Sequence, residues 1–306
     1  MQSVLMSGAS GMLGGAIGAA LRAKKFGVVS LVRGAAESAG AVAWKPEAGW
    51  IADREALEGI DAAIHLSGAS VSGKRWSKSY KREMVESRVT STRVLSEALA
   101  GLRKKPSVLI AASAIGFYGD RGDEVLDEEA ERGTGFLAEL CEAWERAADP
   151  AREAGIRVVH LRIGVVLGTN GGALAKMLPL FRAGVGGRLG NGRQWMSWVS
   201  EADVVGATLF ALNADGQGAD LSGAVNMVAP HAVTNAQFTR ELGAVLQRPA
   251  LVPAPAFALR LAFGEMADEA LLASTRTVPA KLIQAGYIFR HPRIGDGLRD
   301  ALAATH

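Results

Sequence analysis

Hydrophobic and polar positions in the first half of the chain alternate between two periods. Short unbroken apolar runs occur in SVLM (3 to 6), GVVSLVR (27 to 33), DAAIHLSG (61 to 68), SVLIAASA (107 to 114) and IRVVHLRIGVVLG (156 to 168). Between them lie stretches of helical period at 12 to 25, around 78 to 100 and near 135 to 154. Continuous apolar runs are the mark of strands buried on both faces, and their alternation with helices predicts a parallel sheet covered on each side. The expected fold class is a doubly wound α/β Rossmann sheet. Further on, a helix over 203 to 214 and a strand in GAVNMVAP (223 to 230) extend the same pattern, and RPALVP (248 to 253) reads as a strand leading into terminal helices. Residues 1–168 with 203–230 are therefore expected to form the Rossmann domain. Residues 169–202 with 231–306 would form a smaller, mostly C-terminal domain.

Composition narrows the classes. At 306 residues and 49% hydrophobic, the chain is long enough to bury a large core. The net charge of +3 is spread out, and the densest basic run, LRKKP (102 to 106), reads as a solvated helix end. No nucleic-acid partner is expected. The apolar segment PALVPAPAFALRLAF (249 to 263) is interrupted by three prolines and Arg260 and is too short to span a bilayer, so no membrane partner is expected either. One cysteine, Cys141, leaves no internal disulfide and no multi-cysteine metal site. No metal is expected, and with no signal-peptide pattern at the start the expected location is cytoplasmic.

Chemistry enters with SGASGMLGGAIGAALR (7 to 22), where Gly8, Gly11 and Gly14 sit between the first strand and the first helix. In that context the spacing points to a dinucleotide pyrophosphate site. Gly8 makes the tight turn, Gly11 lets the backbone approach the phosphates and Gly14 lets helix pack on strand. Ser10, Met12 and Leu13 lie at the helix N-terminus, whose unpaired N–H groups and positive dipole end favour an anion. The alternative is a tight turn of small residues with no ligand. The second strand ends in Arg33, nineteen residues after Gly14, and the nearest acid is Glu37. A carboxylate there would hold the ribose of NAD, whereas a guanidinium bonds the 2′-phosphate of NADP through two parallel N–H groups. NADP is the expected cofactor, with an ordinary surface arginine as the alternative for Arg33.

Several motifs together carry a family resemblance. GASGMLG, the strand end HLSGAS (65 to 70) and SAIGFYG (113 to 119) resemble the extended short-chain dehydrogenase/reductases, the NAD(P)-dependent epimerase/dehydratase group. KRW (74 to 76), SRVTSTRVL (87 to 95), FLAELCEAWE (136 to 145), LRIGVVLGTNGGAL (161 to 174) and GRQWMSWV (192 to 199) are similar to one atypical branch. The segment 264 to 292 resembles the C-terminal domain of unknown function that ends those chains. The resemblance implies an NADP-binding Rossmann domain, with Ser67 and Gly68 of HLSGAS on the cofactor, and a smaller substrate domain.

The same resemblance implies a Tyr-x-x-x-Lys pair for proton transfer, and this chain lacks it. With the helix anchored on Glu145, those positions fall on Leu137 and Cys141, and the usual asparagine falls on Arg88, while Ser113 is retained. Leucine cannot donate a proton and a neutral thiol is a poor substitute for an ammonium. The catalytic candidates are thus Ser113, Tyr118 as the acid, and Arg88 as a positive charge near a developing oxyanion. Packing is the alternative role for Tyr118, as burial is for Cys141. Arg75 and Trp76, and further on Arg193, Gln194, Trp195 and Trp198, are expected to line the substrate side; the tryptophans could equally fasten the domains together. Where the wider family often carries a histidine, this chain has Ser200. These readings lead to an NADP-dependent oxidoreductase or epimerase acting on a small polar carbonyl or hydroxyl compound, a homodimer by default. The rival is a non-catalytic NADP(H)-binding sensor or regulatory protein.

Overall fold

A computed structural model describes residues 2–36, 40–213 and 221–303; Glu37 lies outside the described residues. Eight strands form the main sheet: β1 (Ser3–Ser7), β2 (Gly27–Val32), β3 (Ala41–Lys45), β4 (Trp50–Ile51), β5 (Ala62–His65), β6 (Val108–Ala114), β7 (Arg157–Ile163) and β8 (Gly223–Met227). Their order across the sheet is β8-β7-β6-β5-β1-β2-β3-β4. β1 pairs in parallel with β2 and β5, β2 with β3, and β5 with β6, whereas β4 is an antiparallel edge on β3. The chain runs outward from β1 to β3 and then crosses back to β5, so the strand order reverses between β1 and β5. In a doubly wound sheet that reversal opens the crevice where a nucleotide binds.

Helices follow the strands: α1 (Met12–Ala23), α2 (Lys78–Val85), α3 (Ser91–Ala100), α4 (Phe136–Arg146), α5 (Asp149–Glu153), α6 (Gly172–Arg182), α7 (Glu201–Ala211), α8 (Asn235–Leu246), α9 (Ala256–Phe263), α10 (Ala280–Gln284) and α11 (Ile294–Ala303). Among the described residues no helix is long and apolar enough to cross a membrane.

The chain divides into two compact units. One comprises 1–113, 142–161 and 205–225, the other 114–141, 162–204 and 226–303 within the described residues. The first unit is cored by β-strand residues such as Leu5, Leu31, Ala63 and Leu109 with Leu95 and Leu99 of α3. The second has its own core of Trp198, Phe238, Leu242, Leu174 and Leu298. Each buries a contiguous set of large apolar side chains, the condition for a stable packed unit.

Four elements differ from the sequence pattern for physical reasons. The run 156 to 168 breaks at Gly164, where a Cβ would lie 2.6 Å from the Ser197 carbonyl oxygen; the following strand, Val165–Leu167, pairs with Trp198–Ser200 instead. The helix at 78 to 100 contains one π turn, Glu86–Thr90, between α2 and α3. The helix near 135 to 154 is two helices, the second opening on Asp149 with Pro150 in its first turn. RPALVP is not a strand: it runs extended, with Val252 N–H donating to the Gly186 carbonyl at 3.2 Å and Ala254 N–H to the Arg188 carbonyl at 2.9 Å.

Candidate functional site

The glycine turn is built as its spacing requires. Gly8 holds φ +71°, a region that glycine enters without steric cost, and a Cβ there would meet the Leu66 backbone at 2.8 Å. A Cβ on Gly14 would lie 2.1 Å from the Gly8 carbonyl oxygen, so only glycine lets α1 sit this close to β1. Gly11 is the N-cap of α1, with no side-chain cap and no acid in the first turn. Ser10 and Gly11 are exposed at the tip, with Met12 and Leu13 half-buried behind them. Among the described residues no side chain caps the first N–H groups of α1, which fits a phosphate.

Beneath the turn lies a buried polar chain. Ser7 Oγ is 2.6 Å from His65 Nδ1, and His65 Nε2 is 3.1 Å from Ser91 Oγ. The His65 ring, edge-on to Trp44, is fully buried, and that burial lowers its pKa to about 4. A neutral imidazole therefore ties the ends of β1 and β5 to α3.

Arg33 follows the last residue of β2, exposed and without an ion pair among the described residues. It stands at the same sheet end as the glycine turn, since Ser7 is in register with Leu31. Ser67 is half-buried and Gly68 exposed in the loop after β5. Arg88 supports this loop from below: its Nη2 donates to the Ala69 carbonyl at 2.8 Å, and a Cβ on Gly68 would touch its guanidinium at 3.2 Å. The guanidinium also lies 5.0 Å over the Trp144 ring, and Trp144 in turn donates to Thr92 Oγ1. Arg88 sits on the π turn, a kind of helix defect that recurs at functional sites. Beyond the loop, Arg75 is exposed and Trp76 half-buried, with the indole N–H held by the Val71 carbonyl at 2.8 Å.

Ser113, 3% exposed at the end of β6, donates its hydroxyl to Glu145 Oε1 at 2.7 Å. Glu145 projects from α4 one turn beyond Cys141 and is only half-buried. Nothing in the sequence motif marked it as more than an anchor for the helix register. A hydroxyl–carboxylate contact across 32 residues is a tertiary product.

Within the second unit the structure gives the remaining candidates their surroundings. Tyr118 is fully buried. Its hydroxyl lies 2.7 Å from Asn226 Oδ1 and 2.9 Å from the Asp127 carbonyl and accepts from Arg162 Nη1 at 3.0 Å. Burial pushes its pKa up, and Arg162 stacks 3.4 Å from the Phe117 ring. These contacts fit the packing alternative given for Tyr118. Gln194 is buried, and its amide donates to the Leu189 and Leu271 carbonyls, both at 3.1 Å. Trp198 is a core residue whose indole donates to the His231 carbonyl. Trp195 is half-buried, bonded to Asp123 Oδ1 at 2.7 Å and covered by the Arg276 guanidinium at 4.2 Å, while Arg193 is exposed. Leu137 and Cys141 both pack under Gly116, the thiol buried. Ser200 is bonded to Asp203 Oδ2 at 2.6 Å and lies 3.1 Å from His291 Nδ1, a latch that secures the start of α7 to the segment before α11.

Comparison with known proteins adds to this geometry. The model of the NAD dependent epimerase/dehydratase family matches residues 4–226, and a domain of unknown function matches 254–301. An epimerase family protein of Mycobacterium leprae is 45% identical over 295 residues, covering 96% of this chain and 94% of that protein. The human epimerase family protein SDR39U1 is 31% identical, with 98% of this chain and 99% of that protein covered. A crystal structure of human SDR39U1 with NADPH superposes with a TM-score of 0.88 at 29% identity, covering 99% of each chain. A nucleoside-diphosphate sugar epimerase from Corynebacterium glutamicum superposes with a TM-score of 0.80 at 35% identity, covering 99% of this chain and 58% of that one.

Proposed function

Because the chain belongs to the NAD-dependent epimerase/dehydratase family, we propose that it binds NADP(H) and uses it as an oxidoreductase or epimerase on a small polar carbonyl or hydroxyl compound. The observation that carries the reading is the glycine turn: a Cβ on Gly14 would lie 2.1 Å from the Gly8 carbonyl oxygen, so no side chain fits there, and the N-cap of α1, Gly11, carries no side-chain cap. The NADPH in the human relative supports the choice of dinucleotide, and Arg33 at the end of β2 supports the 2′-phosphate. Gly8, Ser10, Gly11, Met12, Leu13 and Gly14 would hold the pyrophosphate, with Ser67 and Gly68 beside it and Arg88 setting the shape of that loop.

When bound, the nicotinamide would supply or take up a hydride. This chain's own task is then the proton. Ser113 and Glu145 are the residues we assign to it: a carboxyl hydrogen-bonded to a hydroxyl at a strand end can hold a proton and pass it to a substrate oxygen.

The second reading, a protein that binds NADP(H) without turnover, is favoured by one observation. Leu137 and Cys141 occupy the positions of the usual acid and ammonium, and Tyr118 is spent in packing.

Titration of the tryptophan fluorescence with NADPH and with NADH tests the cofactor reading common to both. NADPH is expected to bind at least tenfold tighter, about 1.4 kcal/mol. Arg33→Asp should remove that difference while leaving NADH binding in place. Equal affinities in the parent protein would defeat the assignment of Arg33, and binding of neither nucleotide would defeat both readings. A panel of carbonyl compounds tested for NADPH oxidation separates the two: turnover of any one establishes the enzyme.

A further inference from the structure

Lined by none of the residues assigned above to the cofactor or to proton transfer, a cavity of about 370 Å³ in the second unit has Arg188, Arg240 and Arg248 in its wall. Each arginine arrives from a separate piece of chain. α8 presents Arg240 on the same face as Thr239, Ala236 and Gly243. Arg248 follows Gln247, which ends α8 at φ 54° and turns the chain back so that Arg248 N–H meets the Gly243 carbonyl at 3.0 Å. Arg188 belongs to the extended segment zipped to 252–254 by the Gly186 and Arg188 carbonyls. Two contacts hold these pieces in place. A Cβ on Gly187 would lie 1.9 Å from the Val252 carbonyl oxygen, and one on Gly243 would lie 2.9 Å from Ala250 Cβ. The backbone is thereby packed too closely for the three arginine positions to drift apart.

The charge of this wall is one-sided. Among the described residues that line the cavity none is acidic. Among the described residues the only ion pair of the three arginines is a marginal one, Arg240 Nε to Glu241 Oε1 at 4.0 Å. Three like charges on one wall with a single marginal counter-charge repel one another, and an anion seated among them would offset that repulsion. Guanidinium forks bond oxyanions bidentately, and a phosphate carried by an organic molecule offers three peripheral oxygens where a carboxylate offers two, so it can engage more of the three arginines. Beside them Ala250, Leu251 and Pro253 provide an apolar side to the same cavity.

We propose that the cavity between α8 and the 248–253 segment is a second ligand site, for a phosphate group carried by a small organic molecule, formed by Arg188, Arg240 and Arg248. The site is independent of the glycine turn and does not rest on the cofactor reading.

Calorimetric titration of the full chain tests it, with saturating NADPH present so that the glycine turn is not the titrated site. Inorganic pyrophosphate and glucose 6-phosphate are the probes, with citrate as a polycarboxylate of similar charge, in 0.15 M NaCl to suppress diffuse attraction. Both phosphates are expected to bind with Kd below about 1 mM, and citrate at least tenfold more weakly. Arg240→Glu and Arg248→Glu, both at exposed positions, should each weaken the phosphates tenfold or more, whereas Arg54→Glu, an exposed arginine of the first unit, should not. Agreement of thermal unfolding between the variants and the parent confirms that each is folded. Three outcomes overturn the proposal: no phosphate binding up to 10 mM, equal weakening by Arg54→Glu, or citrate binding as tightly as the phosphates. If NADPH itself does not bind, the cofactor reading fails, and the contrast between Arg240→Glu and Arg54→Glu still decides this one.

Discussion

A single imidazole illustrates how one residue couples packing to solution conditions. His65 is buried between two serine hydroxyls and an indole edge, and burial holds its pKa near 4 against 6.5 for a free histidine. Between those two values the unfolded chain takes up a proton that the folded chain refuses. Stability contributed by the neutral ring is therefore present above pH 6.5 and is lost as the pH falls toward 4. From this group alone, the unfolding free energy should be about 2 kcal/mol lower at pH 5 than at pH 7. Urea denaturation at the two pH values measures it, and His65→Gln should flatten the acid limb. An unchanged acid limb in that variant would place the titration elsewhere. At this scale the glycines were legible beforehand, because their requirement is steric and local: turn, approach and packing follow from spacing along seven residues. Tyr118 was not legible. Its partners Asn226 and Arg162 lie 108 and 44 residues away, and only the fold shows that they consume its hydroxyl.

Helix α4 poses the corresponding problem for an element. Its sequence places Leu137, Cys141 and Glu145 at successive i, i+4 positions, so all three share one face. Two of them fill the space under Gly116, and the third reaches the Ser113 hydroxyl. If Glu145 moves the proton, Glu145→Gln should reduce turnover of whichever carbonyl compound the parent protein reduces by about 10²- to 10⁴-fold. NADPH affinity should stay within about threefold, since glutamine keeps the hydrogen-bonding shape. Loss of nucleotide binding together with turnover would make Glu145 a support for the cofactor loop, and unchanged turnover would remove it from the chemistry. The helical period of α4 was readable from its apolar spacing, as was that of α2 and α3. The π turn between α2 and α3 was not. It shows itself only in the folded helix, where Arg88 on the π turn donates its Nη1 to the Met84 carbonyl at 3.3 Å. The break at Gly164 went unread for a related reason: an apolar run looks the same whether it stays in one sheet or passes to a second.

For the molecule as a whole, two cores imply two separable contributions to stability. Trp198, fully buried among Leu167, Phe238 and Leu298, belongs to the second unit, and the glycine turn to the first. Trp198→Ala should cost about 3 to 5 kcal/mol of unfolding free energy, read from chemical denaturation, while NADPH affinity of the folded protein at 20 °C changes less than threefold. A parallel loss of affinity would show that the second core supports the nucleotide turn. What the sequence by itself determined is the doubly wound sheet and the place of its glycine turn, because strand and helix periods and the glycine spacing are properties of short segments. Tertiary structure alone decided which polar groups are spent and which are available. Tyr118, Gln194 and Trp198 look chemically capable in the sequence and are satisfied by distant partners, whereas Glu145 and the arginines at 188, 240 and 248 look ordinary and acquire their setting only when separate segments fold together. The physical reason is that a side chain's reactivity depends on its burial and its hydrogen-bond partners, and both are fixed by contacts between residues far apart in the chain.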